Sequence, residues 1–321
     1  METIKPFVKW AGGKGSLIPQ LKNFYPFELN NISIDKYVEP FVGGGAVLIN
    51  ILQKHDIKEA YAFDINIDLI NCYNVIKKDV ESLIKELEKK EKEFIELANK
   101  KREEYYYNIR NEYNSYEINE NEINENEINV KRASEFIFLN RTCFNGLYRV
   151  NKRGKFNVPC GKYKNPTICD AKNLRNLSYL IRNVIFEYGD YKKSERHVDS
   201  KTFVYFDPPY RPLSSTSGFT SYTKEDFNDE NQRELANYFR LLDEKNAKLM
   251  LSNSNPKNTN ENDNFFEEIY KGFNINEISA KRMINANAKG RGVISELLIT
   301  NYEEMEECIQ ENSILKKVTL N

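Results

Sequence analysis

The sequence predicts an α/β fold in which strands alternate with helices and one long insert interrupts the alternation. Residues 203–206 form a short apolar run of Phe, Val and Tyr, which is typical of a buried parallel strand. A glycine turn at residues 43–45 separates another strand-like segment from a helical one, as in a βαβ unit. With 321 residues, the chain is long enough for one large α/β domain and a smaller insert.

The first half of the chain contains two predicted strands and two helical stretches. Residues 37–41 and 59–64 are the strands, and residues 47–53 form a helix between them. Residues 65 to about 100 carry Leu, Ile and Phe at three-to-four spacing, which predicts a further helical stretch. Residues 71–169 as a whole do not fit the alternation and are predicted to form an inserted helical and loop domain.

Residues 117–129 have the sequence EINENEINENEIN, a five-residue repeat of Glu, Ile and Asn. Its isoleucines, at positions 118, 123 and 128, fit neither the helical nor the strand period. The composition predicts an exposed low-complexity spacer, mobile or loosely helical.

The second half of the chain returns to alternating elements. Helices are predicted at residues 133–139, 174–181 and 231–243, and strands at 184–188, 203–206 and 248–252. Residues 145–161 are rich in Gly, Asn, Lys and Arg and are predicted to form loops. Segments 274–278 and 294–301 are predicted to pair as an antiparallel hairpin.

Basic residues are concentrated in one part of the chain, although the net charge is only −1. Residues 131–182 contain 12 Lys and Arg against two acids, Glu135 and Asp170. This excess suits a surface that faces phosphates. A solvated basic face is the alternative.

Cysteine and hydropathy patterns indicate a soluble cytoplasmic protein. The five cysteines lack CxxC spacing and there are two histidines, so no metal site is expected and the thiols are expected to be reduced. No apolar stretch approaches the ~20 residues that span a bilayer, and the N-terminus lacks a signal-peptide pattern. No membrane partner is expected.

The four residues after the 203–206 strand, Asp207, Pro208, Pro209 and Tyr210, combine hydrogen-bond acceptors with an aromatic face. Open α/β sheets bind ligands at the carboxyl ends of their strands. Prolines have no backbone N–H and hold a stiff extended turn, so their carbonyls remain free to accept. A carboxylate, free carbonyls and a ring suit the binding of a planar exocyclic amine. The alternative is a strand that ends in a proline turn, with Tyr210 in the core.

The glycine turn and a nearby acid predict a nucleoside site. Gly43, Gly44 and Gly45 lack a Cβ, so backbone can approach a ligand at the start of the helix. Asp64 ends the second strand, where an acid commonly accepts hydrogen bonds from ribose hydroxyls. The spacing is not GxGxxG, which argues against a pyrophosphate-containing dinucleotide and a nicotinamide oxidoreductase. The pattern favours a nucleoside-containing cofactor without a pyrophosphate.

Two further positions are candidates for ligand contact. Trp10, the chain's one tryptophan, stands beside a Gly-Gly pair and Lys14, which indicates a ligand loop. Core packing of Trp10 and solvation of Lys14 are the alternatives. Asp190 ends the third strand, where its carboxylate either accepts from an adenine amine or caps the following helix.

Residues 141–149 interleave aromatic and basic side chains at the start of the most basic stretch. Phe144 and Tyr148 can stack on bases, and Asn145 and Arg149 can read base edges. This combination suits DNA recognition.

These motifs occur in an order that resembles the Dam-type DNA adenine-N6 methyltransferases, which act on GATC. The motifs are KWAGGK at residues 9–14, EPFVGGG at 39–45, NGLYR at 145–149 and DPPY at 207–210. Further matches lie at residues 156–163, 219–222, 251–254 and 291–296. The resemblance covers roughly residues 5–303, nearly the whole chain.

The resemblance implies a Rossmann-like fold that binds S-adenosylmethionine, with an inserted helical and loop DNA-recognition domain. Trp10, Lys14, Asp64 and Asp207 match positions that contact this cofactor. Residues 43–45 match its glycine loop, and Asp190 matches a contact to its adenine. Residues 207–210 match the catalytic motif.

The resemblance also implies double-stranded DNA as the partner. Phe144 matches an aromatic that fills the gap left by a flipped adenine, and Arg149 and Lys9 match contacts to guanines. The other matches to DNA-contacting positions are Asn145, Leu147, Pro159 and Tyr163. The repeat and the tail after Asn301 depart from the family pattern. Phe144 stands where many relatives carry Tyr, and both rings stack.

The implied organisation is a catalytic domain in two parts, residues 1–70 and 170–303, a recognition insert, residues 71–169, and a tail, residues 304–321. The implied reaction is site-specific methyl transfer to N6 of adenine by base flipping, without a covalent intermediate. Such an enzyme is cytoplasmic and nucleoid-associated, and acts alone or beside a cognate restriction endonuclease.

Two other functions are the alternatives. One is a methyltransferase for a glutamine amide or an RNA amine, which usually has Asn at the Asp207 position. The other is a non-catalytic DNA-binding module.

Overall fold

The computed structural model describes residues 3–31, 33–118, 128–211, 227–281 and 293–303. Its strands form one seven-stranded sheet: β1 (Lys36–Glu39), β2 (Glu59–Asp64), β3 (Val184–Tyr188), β4 (Thr202–Phe206), β5 (Lys248–Ser254), β6 (Asn274–Lys281) and β7 (Val293–Thr300). The predicted strands are confirmed, with small differences at their ends. The α/β fold is therefore confirmed, and the sheet is consistent with the Rossmann-like methyltransferase fold.

The α-helices of the described residues are α1 (Ile18–Leu21), α2 (Ala46–Lys54), α3 (Ile67–Lys78), α4 (Val80–Glu96), α5 (Asn99–Ser115), α6 (Val130–Thr142), α7 (Ala171–Leu180), α8 (Asp229–Asp243) and α9 (Phe265–Ile269). Across the described ranges, none of the helices combines the length and the apolar character that crossing a membrane requires.

The strand order, β3-β2-β1-β4-β5-β7-β6, reverses direction at the centre of the sheet. Strands β1 to β5 are parallel, and β7 is antiparallel to both β5 and β6, which confirms the predicted hairpin. From β1 the chain continues outward to β2, whereas β4 leads outward to β5. Such a reversal opens a crevice at the carboxyl ends of the two central strands, here β1 and β4.

The central strands are buried on both faces, because alternate side chains of a strand point to opposite sides. One face contributes to a large core shared with the helices between β2 and β3, and the other to a smaller core under α8. The first face includes Tyr37, Phe203 and Tyr205, and the second includes Val38, Val204 and Phe206. A near-continuous apolar run such as residues 202–206 is the expected sequence of a strand in this position.

Residues 65–100 are largely helical, as predicted, but they do not form one continuous helix. They are divided among α3, α4 and the start of α5, a helix that the sequence reasoning did not predict. The break between α3 and α4 lies at Asp79, whose side chain accepts from the backbone N–H of Ser82 at 3.2 Å and caps the new helix. Regular apolar spacing continues through the break, so spacing alone did not reveal it.

The predicted exposure of the 117–129 repeat is wrong at both of its ends. Ile118 is buried and Ile128 is half-buried against the core. The backbone N–H of Asn129 donates to Oδ1 of Asn71 at 2.9 Å, and the Asn129 side chain accepts from the N–H of Arg132 at 2.8 Å, which caps α6. The middle of the repeat, the family matches at residues 219–222 and 291–292, and the tail after residue 303 lie outside the described residues.

Candidate active site

A cavity of about 670 Å³ opens at the carboxyl ends of β1 and β4. All of the residues predicted to bind cofactor or substrate line it, together with one residue predicted to contact DNA. These lining residues are Lys9, Trp10, Lys14, Gly43, Gly44, Gly45, Asp64, Asp190, Asp207, Pro208, Pro209 and Tyr210. Segments far apart in the chain thus converge on one cavity at the reversal of strand order.

The glycine turn after β1 has no room for side chains. Gly43 and Gly45 have φ angles of +46° and +71°, in the left-handed region. A Cβ on Gly43 would lie 2.9 Å from Cδ1 of Trp10, and a Cβ on Gly45 would lie 2.5 Å from the hydroxyl of Tyr73. The Tyr73 hydroxyl donates to the carbonyl of Gly43 at 2.9 Å. Trp10 and Tyr73 therefore hold the turn between them, and sequence reasoning did not identify Tyr73.

Asp64, at the end of β2, is bonded to the same turn. Its carboxylate accepts from the backbone N–H of Gly43 at 3.0 Å and from that of Asn66 at 2.8 Å. Burial raises the pKa of Asp64 to about 6, although these backbone hydrogen bonds oppose the rise. Each oxygen of a carboxylate can accept more than one hydrogen bond, so Asp64 can still accept from a ligand in the cavity.

Lys14 and Asp207 form a buried ion pair in the cavity wall. Nζ of Lys14 lies 2.6 Å from Oδ1 of Asp207 and donates to the carbonyl of Gly12 at 2.7 Å. Lys14 is 3% exposed, so the alternative of a solvated lysine is wrong. Burial raises the pKa of Asp207 to about 6, Lys14 opposes this rise, and Glu296 adds to it.

Tyr210 faces the cavity rather than the protein core. Its ring lies 4.7 Å from Nζ of Lys14, and its hydroxyl donates to Oε2 of Glu296 on β7 at 2.5 Å. The side chain is half-buried and lines the cavity. The alternative of Tyr210 as a core residue is therefore wrong. Its partner Glu296 belongs to the matched segment 291–296, but sequence reasoning assigned it no role.

Glu39, at the end of β1, is a second carboxyl close to Asp207. It is 2% exposed and its Oε2 accepts from the hydroxyl of Tyr37 at 2.7 Å. Burial raises the pKa of Glu39 well above its usual range, and the negative charge of Asp207 adds to the rise. Sequence reasoning assigned Glu39 no role, although an acid within an otherwise apolar predicted strand was the available signal.

Asp190 follows β3 and is exposed at the far side of the cavity. Its carboxylate accepts from the backbone N–H of Lys192 at 2.9 Å, at the start of the 3-10 helix Tyr191–His197. The capping role that was one of the two alternatives is thus observed. The predicted contact with a cofactor adenine stays a prediction.

The residues predicted to contact DNA lie on or next to a hairpin after α6, except Lys9, which contacts it from the N-terminal segment. The backbone N–H of Phe144 donates to the carbonyl of Pro159 at 2.9 Å, and Asn145 has a φ of +57°. Nζ of Lys9 lies 4.7 Å from the centroid of the Tyr163 ring. The side chain of Phe144 is 53% exposed. These contacts bring Phe144 beside Pro159 and Lys9 beside Tyr163, and Lys9 also lines the cavity.

The hairpin packs directly on the N-terminal loop that carries Lys9 and Trp10. A Cβ on Gly146 would lie 2.3 Å from Cδ of Lys9, so this close approach requires glycine. Trp10 stacks on Tyr148, with ring centroids 5.5 Å apart. Leu147 is half-buried, and Nε of Arg149 donates to Oδ1 of Asn157 at 2.8 Å.

Comparison with known proteins agrees with this geometry. The type II methyltransferase M.MjaIII of Methanocaldococcus jannaschii is 52% identical over 300 residues, which cover 93% of this chain and 99% of that protein. The type II methyltransferase M1.LlaDCHI of Lactococcus lactis subsp. cremoris is 40% identical, with 93% and 96% covered. The DNA adenine methylase of Escherichia coli (strain K12) is 33% identical, with 93% and 95% covered. Residues 10–284, most of the chain, match the D12 class, and the chain therefore belongs to the D12 class of N6 adenine-specific DNA methyltransferases.

Proposed function

We propose that this adenine-N6 DNA methyltransferase takes its methyl group from S-adenosylmethionine and acts on the adenine of GATC, flipped out of the duplex. One observation carries the proposal. The glycine turn after β1 and the Asp207–Tyr210 segment after β4 line one cavity where the strand order reverses. A donor and an acceptor bound there would meet, as direct transfer requires, since the reacting atoms must approach to about 3 Å.

The donor side of the cavity fits a nucleoside that carries an amino-acid tail. The glycine turn offers backbone close to the ligand, and Trp10 offers a ring beside it. We assign the ribose hydroxyls to Asp64 and the cofactor's adenine amine to Asp190. Lys14 has three donor hydrogens, so it can hold Asp207 and Gly12 and still donate to a methionyl carboxylate.

The acceptor side fits the exocyclic amine of adenine. The Asp207 carboxylate and the Pro208 carbonyl accept the two amine hydrogens, and the Tyr210 ring stacks on the base. Accepting both hydrogens draws the N6 lone pair out of conjugation and directs it at the methyl group. The rate enhancement then comes from positioning and fixed electrostatics, and the proton leaves to water. Pro209 completes the stiff turn that holds the two acceptors in place.

The hairpin after α6 fits DNA with a flipped base. Taking a base out of the stack costs a few kcal/mol. The exposed ring of Phe144 can offset part of this by stacking into the gap. We assign guanine contacts in the major groove to Lys9 and Arg149. Further DNA contacts are assigned to Asn145, Leu147, Pro159 and Tyr163.

We assign DNA recognition to residues 71–169, inserted between the two parts of the catalytic domain, residues 1–70 and 170–303. The hairpin that carries the proposed base contacts belongs to this insert. The relatives with 52% and 40% identity are named type II methyltransferases. This favours a place in a restriction–modification system, beside a cognate endonuclease, over solitary action.

The test is expression of the chain in a bacterial host that lacks its own adenine methylase, followed by mapping of N6-methyladenine across the genome. We expect methylation confined to GATC, and its loss in Asp207→Ala, which should still bind duplex DNA. Methylation at another motif would overturn the GATC assignment but not the chemistry. Turnover of Asp207→Ala above about a tenth of wild type would overturn the catalytic role of the loop.

A further inference from the structure

Two buried amide side chains, Gln232 and Asn253, hold the backbone on both sides of Tyr210. Both are 0% exposed, on α8 and β5 respectively. Nε2 of Gln232 donates to the carbonyl of Pro209 at 3.0 Å, and the backbone N–H of Arg211 donates to Oδ1 of Asn253 at 3.3 Å. The two amides are joined by Nδ2 of Asn253, which donates to Oε1 of Gln232 at 3.1 Å.

The backbone fixes the direction of these hydrogen bonds. The N–H of Ser254 also donates to Oδ1 of Asn253, at 2.9 Å, so this oxygen cannot exchange places with the NH₂ group. The NH₂ group of Asn253 must then face Gln232, whose Oε1 accepts from it. The NH₂ group of Gln232 is left to donate to Pro209. An amide at position 232 satisfies both neighbours, whereas a carboxylate would satisfy Asn253 alone.

This arrangement anchors a segment that has few means of anchoring itself. Pro208 and Pro209 have no N–H with which to bind the neighbouring strands. The peptide group between Pro209 and Tyr210 is planar, so a fixed Pro209 carbonyl sets the direction in which the chain enters Tyr210. The hydrogen bond to Arg211 sets the direction in which it leaves.

We propose that the pair of Gln232 and Asn253 is the positioning device of the catalytic loop and sets kcat without touching substrate. This inference rests on the proposed catalytic role of residues 207–210. A misplacement of about 1 Å can cost on the order of 100-fold in rate. A rotated peptide group at Pro209 would therefore lower kcat and leave the affinity for DNA and S-adenosylmethionine nearly unchanged.

Gln232→Glu tests the device with almost no change of shape. The variant keeps the oxygen that accepts from Asn253 and sets a second oxygen against the carbonyl of Pro209. At pH 8 we expect kcat to fall by about 10- to 100-fold, with both Kd values within about two-fold of wild type. Lowering the pH should bring the kcat of the variant closer to that of wild type, because a protonated Glu carries an O–H that can donate to the carbonyl of Pro209.

Tyr238→Phe is the matched control on the same helix. The Tyr238 hydroxyl is buried and shares a hydrogen bond with Oγ of Ser194 at 2.8 Å, a bond in which residues 207–211 take no part. Its removal should lower the Tm and leave kcat unchanged. If Gln232→Glu does not fold, Asn253→Asp tests the pair from the strand side. It keeps Oδ1 for the two backbone donors and sets an oxygen against Oε1 of Gln232.

Asp207→Ala in the same assays separates the two proposals. An active Asp207→Ala would overturn the catalytic role of the loop, and this inference with it. An inactive Asp207→Ala together with a Gln232→Glu enzyme of wild-type kcat would overturn this inference alone. A loss of kcat that follows the loss of Tm equally in Gln232→Glu and Tyr238→Phe would also overturn it. A pH-reversible loss of kcat at constant Kd would support it.

Discussion

The ammonium of Lys14 lies 2.6 Å from the carboxylate of Asp207, in a place where Lys14 is 3% exposed. Because both charges are largely removed from water, the positive charge of Lys14 acts strongly on the protonation of Asp207. Burial raises the pKa of Asp207 to about 6, and the positive charge of Lys14 limits that rise. In its proposed role Asp207 accepts an amine hydrogen, and the ionised carboxylate is the stronger acceptor, so Lys14 should influence turnover through Asp207.

Lys14→Gln should move the acidic limb of the pH–rate profile to higher pH. Without the ammonium, the effect of burial on Asp207 is uncompensated, so its pKa rises further above about 6 and ionisation needs a higher pH. The measurement is kcat at saturating DNA and S-adenosylmethionine between about pH 5 and pH 9, a range chosen to bracket that pKa.

Lys36→Gln is the control for this shift, because Lys36 is also paired with an aspartate, Asp199, at 2.6 Å, but at the opposite end of β1. Its acidic limb should coincide with that of wild type. A Lys14→Gln limb at the wild-type position, with kcat reduced equally at every pH, would show that Lys14 acts on binding or folding instead.

Glu39→Gln should make the protein more stable than wild type at alkaline pH. Burial raises the pKa of Glu39 well above its usual range. Between its usual pKa and this raised pKa, the folded state binds more protons than the unfolded state. The stability of wild type therefore falls with rising pH. The amide oxygen of Gln can still accept from Tyr37 and carries no charge. The Tm difference between Glu39→Gln and wild type should grow from pH 5 to pH 9.

The comparison for Glu39 is Glu103→Gln, which replaces an exposed glutamate on α5. Its Tm difference from wild type should be nearly independent of pH. If the Tm advantage of Glu39→Gln shrank as the pH rose, Glu39 would be stabilised as a carboxylate and the predicted sign would be wrong.

Sequence reasoning identified residues on both sides of the cavity because each side has a local pattern. Asp207 follows directly after the apolar run of β4, and the glycines lie in the turn between β1 and α2. Membership of the D12 class then excludes the nicotinamide oxidoreductase that the glycine turn alone left open. The reasoning could not predict the Lys14–Asp207 pair or the bond from Gln232 to Pro209, because the folded sheet brings these partners together across long separations in sequence.

Arg149→Ala should loosen the choice of sequence more than it lowers affinity. Nε of Arg149 is held by Asn157 at 2.8 Å, which leaves the end of the guanidinium to read a guanine edge. Loss of a bidentate contact costs about 1–3 kcal/mol of discrimination at one base pair, or roughly 5- to 150-fold. The measurement is kcat/KM on GATC duplexes against duplexes with a single base pair changed.

Two further variants, one at the partner of Arg149 and one control, help to interpret the Arg149 result. Asn157→Ala should reduce discrimination in the same direction by a smaller factor, because the guanidinium loses its support. Lys155→Ala removes a basic residue of the same loop that pairs with Glu117 at 2.8 Å, and it should leave discrimination unchanged. Equal discrimination by Arg149→Ala and wild type would remove Arg149 from the proposed recognition set.

Replacement of residues 119–127 by a Gly-Ser segment of the same length should leave both Tm and kcat unchanged. The two ends of the repeat must be kept, because Ile118 is buried in the core and Asn129 caps α6 and bonds to Asn71. Asn129→Ala should accordingly lower the free energy of unfolding by about 1 kcal/mol, the usual effect of losing a helix cap. Thermal unfolding and methylation of a GATC duplex measure the two effects. If the Gly-Ser variant lost turnover at an unchanged Tm, the repeat would take part in DNA binding, and its description as a spacer would be wrong.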